Sequence, residues 1–123
     1  MKKANLGPET TEDLVERYVA ISRDMFESNR ALDTRRFNRL MPSLMAIEAE
    51  LKARPGDQRR ELVLLLSHEN RQVRLNAARA TLTIAPARAR AALQAIRDSK
   101  LMPQSLDAGM DLALIEEGIV KPK

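Results

Sequence analysis

The chain has no cysteine and no tryptophan, and its 123 residues include one histidine, one tyrosine, two phenylalanines and four glycines. Without cysteine there is no disulfide, no thiolate nucleophile and no sulfur-ligated metal, and a reducing, cytoplasmic setting is the expectation. The single histidine, His68, rules out histidine clusters of the kind that hold transition metals. With aromatics confined to Tyr18, Phe26 and Phe37, the core has to be built from Leu, Ile, Val, Met and Ala. No run of about 18 apolar residues occurs, and the opening MKKANLGPETTEDL lacks an apolar segment behind its lysines, so neither membrane spanning nor secretion is expected. Glycine-rich phosphate loops and glycine-centred calcium loops are missing as well.

Hydrophobic residues make up 44% and charged residues 31% of the chain, the balance of a helical globular protein. The run ELVLLLSHENRQVRLNAARATLTI, Glu61 to Ile84, organises the remainder. Leu62, Leu65 and Leu66 fall on one helical face, and Val73, Ala77, Ala80 and Ile84 recur at helical spacing. Ser67 to Asn70 supplies a polar corner, and Asn70 is placed to cap the second helix. Two antiparallel helices fit this pattern.

Within that run LLSHENRQVRLNAARATLTI resembles a HEAT repeat, matching at Leu65, Leu66, Val73, Arg74, Ala77, Ala78, Ala80 and Ile84. His68, Thr81 and Leu82 depart from the family pattern. The resemblance implies helical hairpins stacked into a right-handed, armadillo-type superhelical array, and the chain also resembles a small uncharacterised bacterial family of HEAT-like type. No activity follows from either likeness.

Residues 1–9 read as a mobile lead-in, 10–118 as a single helical domain and 119–123 as a frayed tail. Thr10 or Thr11 opens a helix with Glu12, Asp13 and Glu16 in its first turns, a stripe of Leu14, Tyr18, Ile21 and Met25, and flanking Val15, Ser22 and Phe26. After the cap Asp33, the residues Phe37, Leu40, Leu44, Ile47 and Leu51 keep helical register across Pro42, where a kink is expected. Asp57 can cap the next helix. Pro86 suits a first helical position, followed by Ala89, Ala92, Leu93 and Ile96. A last helix after Pro103 is expected to bury Leu106, Met110, Ala113 and Leu114 and to end at Gly118. The expectation is thus an all-α protein of about six helices, pairing as three antiparallel hairpins.

No residue set specifies a reaction. His68 has only Ser67 and Glu69 beside it, so it reads as a turn residue bonding to a helix end rather than as a general base. Glu12, Asp13 and Glu16, Glu48 with Glu50, Asp107 with Asp111, and Glu116 with Glu117 read as solvated faces and complements to helix dipoles, not as metal sites. Charge is concentrated in the middle: between Lys52 and Lys100 eleven Lys or Arg stand against four Asp or Glu. Arg59, Arg60, Arg71, Arg74, Arg79, Arg88, Arg90 and Arg97 lie on successive helices there. Arg74, next to a core valine, is expected to pair within the fold. Arg71, Arg79, Arg88 and Arg90 are the candidate interaction surface.

These features lead to a non-enzymatic protein-interaction module with no cofactor and no metal. The alternative is sequence-nonspecific binding of a nucleic-acid backbone through the central basic strip, a use that HEAT-like DNA glycosylases make of such surfaces. The scarcity of aromatics near the strip counts against base stacking. Apolar residues of the end helices, such as Val15, Phe26 or Met110, are candidates for cover by a second copy.

Overall fold

A computed structural model describes residues 5–118. Among these the chain forms six helical elements and no strand: α1 Thr11–Arg30, α2 Thr34–Ala53, a 3-10 helix η1 Gln58–Ser67, α3 Arg71–Thr81, α4 Pro86–Ser99 and α5 Gln104–Glu116. The fold is all-α, as expected. It divides into two compact units at Glu61 and Leu62.

In the first unit, Thr10 caps α1 by accepting the Asp13 N–H at 3.0 Å, and Asp33 caps α2 by accepting that of Arg36 at 3.0 Å. Between them Ala31, Leu32 and Asp33 donate to Glu27, Asn29 and Ser28 carbonyls, closing the end of α1. This pattern normally recruits glycine at its left-handed position. Leu32 occupies it instead, at φ 56°, with its side chain 89% exposed. The helices run antiparallel: Asp24 bonds Arg36, Tyr18 bonds Glu48, and Arg54 reaches the carbonyls of Glu9 and Leu6.

Leu14, Tyr18, Ser22 and Met25 of α1 are buried, with Leu44, Ile47 and Leu51 of α2. Ser22 thus takes a core position expected for Ile21, which is half-buried. α2 continues unbroken through Pro42, whose ring is exposed. In the segment read as a lead-in, Leu6 is buried and held through its carbonyl by Arg54. Residues 1–4 and the expected tail, 119–123, lie outside the described residues.

The leucine-rich half of the central run departs from expectation. Gln58–Ser67 winds as a 3-10 helix of 10 residues, long for that conformation. With three residues per turn, the side chains that face inward are three apart: Arg59 and Leu62 are buried and Leu65 is half-buried, while Leu64 is 74% exposed. Asp57 begins the element by accepting the Arg59 N–H and guanidinium on its carboxylate.

In the second unit α4 packs on both α3 and α5, and α3 also meets α5. α3 and α5 are parallel, because Arg71 bonds Gln104 and Arg79 bonds Asp111 at sequence offsets of 33 and 32. The core joins Leu75 and Ala78 to Leu93 and Ile96 and to Ala108, Leu112 and Ile115. The two alanines let the helices approach closely.

α3 stops at Thr81, short of Ile84: the N–H groups of Ile84 and Ala85 both donate to the Thr81 carbonyl as the chain turns, and Pro86 keeps Ala85 out of helical geometry. Pro86 is the first residue of α4, and Gly118, at φ 72°, closes α5 by donating to the Ile115 carbonyl. The face that α5 buries is not the expected one. Ala108, Leu112 and Ile115 point inward, whereas Leu106 and Met110 are 54% and 56% exposed and Ala113 is exposed. No helix among the described residues is long and apolar enough to cross a membrane.

Candidate interaction surface

The expected basic strip splits into two parts with different surroundings. On α3, Asn70 caps the helix by accepting the Gln72 and Val73 N–H groups, and His68 Nδ1 accepts the N–H of Asn70 at 3.0 Å. His68 therefore serves the turn, with its Nδ1 lone pair occupied. One step on, Arg71 donates to Gln104 Oε1 at 2.8 Å and Gln104 donates to Gln72 Oε1 at 2.8 Å. Gln72 in turn donates to Asn76 Oδ1 at 2.9 Å. Gln72, Asn76 and Gln104 are all buried, and a relay of this kind satisfies amides that would be costly alone.

Two turns along α3, Arg79 forms a two-pronged pair with Asp111, at 2.6 and 3.3 Å. Nearby Asp107 is pushed above the ordinary carboxyl range by burial, against the pull of Arg79 and with help from the charge of Asp111. Arg71 and Arg79 are thus brought together along the α3–α5 seam, where their guanidiniums are engaged.

Arg88 and Arg90 are exposed on α4 and make no hydrogen bond or ion pair among the described residues. Two positions apart on an α-helix, they point about 200° from one another, on either side of buried Ala89. They do not share a face. Arg74 has a buried Nε without a hydrogen-bond partner, unlike the internal pairing expected of it. Arg59 is buried against Asp57 and its guanidinium holds that carboxyl below the usual range, while Arg60 is exposed.

The acidic candidates also have structural uses. Glu12 and Asp13 sit in the first turn of α1, Glu48 accepts the Tyr18 hydroxyl at 2.6 Å and Glu50 pairs with Arg54 at 2.8 Å. No group of three His, Cys, Asp or Glu among the described residues is placed to hold a metal ion.

The feature that sequence reasoning missed is the corner between α4 and α5. Lys100 ends α4 in a left-handed conformation, φ 61°, and the Ser99 hydroxyl donates to the Ile96 carbonyl and accepts the Leu101 N–H. The corner frames an open depression of about 320 Å³ lined by Arg97, Lys100, Met102, Ser105 and Leu106. Arg97 lies along α5, its Cγ 3.6 Å from where a Cβ on Gly109 would be. From this depression an exposed line runs along α5 through Leu106, Met110, Ala113 and Glu117, at the spacing that keeps residues on one helical face. Met102, 58% exposed, extends it at the basic end. The signal was present as a second apolar stripe on α5, but periodicity alone could not say which stripe faces inward.

Comparison with proteins of solved structure gives a chain that superposes closely. The crystal structure of the protein RPA1889 from Rhodopseudomonas palustris CGA009 is 45% identical, with a TM-score of 0.95, over 98% of this chain and 100% of that one. A comparison with curated proteins found no match. The family described as domain of unknown function DUF2019 matches residues 12–116, nearly the whole of the helical fold, and the chain belongs to that family.

Proposed function

We propose that this protein is a non-enzymatic protein-interaction module whose binding surface is the outward face of α5 together with the basic corner before it. The observation that carries this reading is the exposure of Met102, Leu106 and Met110, each more than half open to solvent, along one line. Scattered apolar residues on a surface need no explanation, but a continuous apolar line rimmed by charge has the make-up of an interface. Methionine, flexible and polarizable, suits such a surface.

The structural use of the titratable groups supports the non-enzymatic part. His68 is committed to a backbone N–H, Asp111 to Arg79 and Glu48 to Tyr18. The HEAT-like reading of the second unit is supported by the parallel α3 and α5 at an offset of 32–33 residues, a spacing at which helical repeats recur. A reducing location is part of the proposal and rests on the cysteine-free sequence. Nucleic-acid binding through Arg71, Arg79, Arg88 and Arg90 has less support, because two of these are engaged by α5 and the other two diverge.

The test is affinity capture from native lysate with the wild-type chain and Met110→Glu as paired baits, quantified by mass spectrometry. A protein held by the wild type and lost with Met110→Glu is the expected result. Identical recoveries with both baits would contradict the assignment of this face.

A further inference from the structure

We infer that the partner fitted to the outward face of α5 is a second copy of this chain, with the two α5 helices packed antiparallel across a twofold axis beside Met110. The inference rests on reading that face as a protein interface, and it names the occupant.

The argument is the polarity of the exposed line. At its start stand Arg97, paired with the exposed Asp98 at 3.0 Å, and Lys100, whose charge is the one left over there; in its middle stand Leu106, Met110 and Ala113, and at its end the exposed carboxylates Glu116 and Glu117. A strip that is positive at one end, apolar in the centre and negative at the other is complementary to itself only when turned end for end. Parallel pairing would place like charges together and is disfavoured. A twofold axis produces the end-for-end arrangement and makes the same patch serve both copies.

Register agrees with this polarity. Setting Leu106 against the partner's Ala113 brings Met110 beside the partner's Met110 at the axis. Leu106 then meets a small side chain and Met110 its own symmetry mate, the alternation that lets two helices interdigitate. The basic depression at Arg97 and Lys100 falls beside the partner's Glu117. Helix dipoles laid antiparallel add a small attraction of the same sense.

Sedimentation equilibrium, run from low-micromolar to near-millimolar protein in moderate salt, tests the inference. The weight-average mass should rise from 13.8 kDa toward twice that value. Met110→Glu sets two carboxylates face to face at the axis and should hold the mass at the monomer value throughout. Glu117→Lys should weaken association by about two- to tenfold, and adding Lys100→Glu to it should restore association. Circular dichroism and unfolding midpoints confirm that each variant keeps its fold, as exposed positions permit. In addition, Met110→Cys should cross-link to itself under oxidation, there being no native cysteine, while Met45→Cys, equally exposed on α2, should not.

A wild-type monomer across the whole range overturns the second copy as occupant. Loss of a captured lysate protein in Met110→Glu would then still uphold the protein-interface reading, so the two failures are distinguishable. A dimer indifferent to Met110→Glu overturns the placement of the interface on α5.

Discussion

Leu112 and Met110 sit two residues apart on α5 and make opposite demands on the fold. Leu112 is 4% exposed, within the cluster that joins α3, α4 and α5, whereas Met110 is 56% exposed. Truncating Leu112 to alanine removes buried carbon atoms and leaves a cavity that packed helices close only in part, at a cost of about 2–4 kcal/mol. Truncating Met110 in dilute, monomeric protein removes atoms already in contact with water and adds a good helix former, so the change should stay within about 0.5 kcal/mol. In urea titrations followed by far-ultraviolet circular dichroism, with a denaturant slope of about 1–1.5 kcal/mol per molar, Leu112→Ala should lower the midpoint by roughly 1.3–4 M. Met110→Ala should leave the midpoint nearly unchanged. Equal shifts, or a larger shift for Met110→Ala, would refute the assignment of the inward face and with it the exposed line.

Leu32→Gly should raise stability by about 0.5–1 kcal/mol, because the left-handed position at the end of α1 is costly to leucine and free to glycine, and the lost side chain is 89% exposed; a lowered melting temperature would contradict this. Tyr18→Phe removes the hydroxyl that donates to Glu48 and should cost about 1–2 kcal/mol in a thermal or chemical melt. Asp107 has a carboxyl pKa raised by burial, so the fold favours its protonated form and gains stability as pH falls through the raised value, the penalty vanishing below the unfolded value. Asp107→Asn should therefore be more stable than wild type at neutral pH, with the gap closing toward about pH 4, as unfolding midpoints measured across that range would reveal.

Most helix boundaries were legible in the sequence because they depend on local chemistry, although α3 ends at Thr81 and not at the expected Ile84. Thr10, Asp33 and Asn70 cap the helices they precede, Pro86 opens α4 and Gly118 closes α5. Facing was harder to read where a helix is apolar on two sides. On α5 the stripe Leu106, Met110 and Ala113 and the stripe Ala108, Leu112 and Ile115 both satisfy the helical period, and only tertiary packing selects the second. On α1 the same ambiguity placed Ile21 in the core and left Ser22 beside it.

The long-range polar links were not legible for a different reason. Nothing local marks Arg71 as the partner of Gln104, or Arg79 as that of Asp111, across more than thirty residues. Counting arginines along the central segment therefore overstated the charge that remains free. The 3-10 winding of Gln58–Ser67 also lay beyond the pattern, since Leu62 and Leu65 satisfy a three-residue period as well as an α-helical one.

Methionine oxidation offers the most direct measurement, because Met45, Met102 and Met110 are almost equally exposed in the single chain, at 58%, 58% and 56%. With dilute protein and a brief pulse of oxidant, peptide mass spectrometry should find the three thioethers oxidised to similar extents. In concentrated protein Met102 and Met110 should become protected while Met45 does not. Equal oxidation of all three at every concentration would contradict the claim that the outward face of α5 meets a second copy.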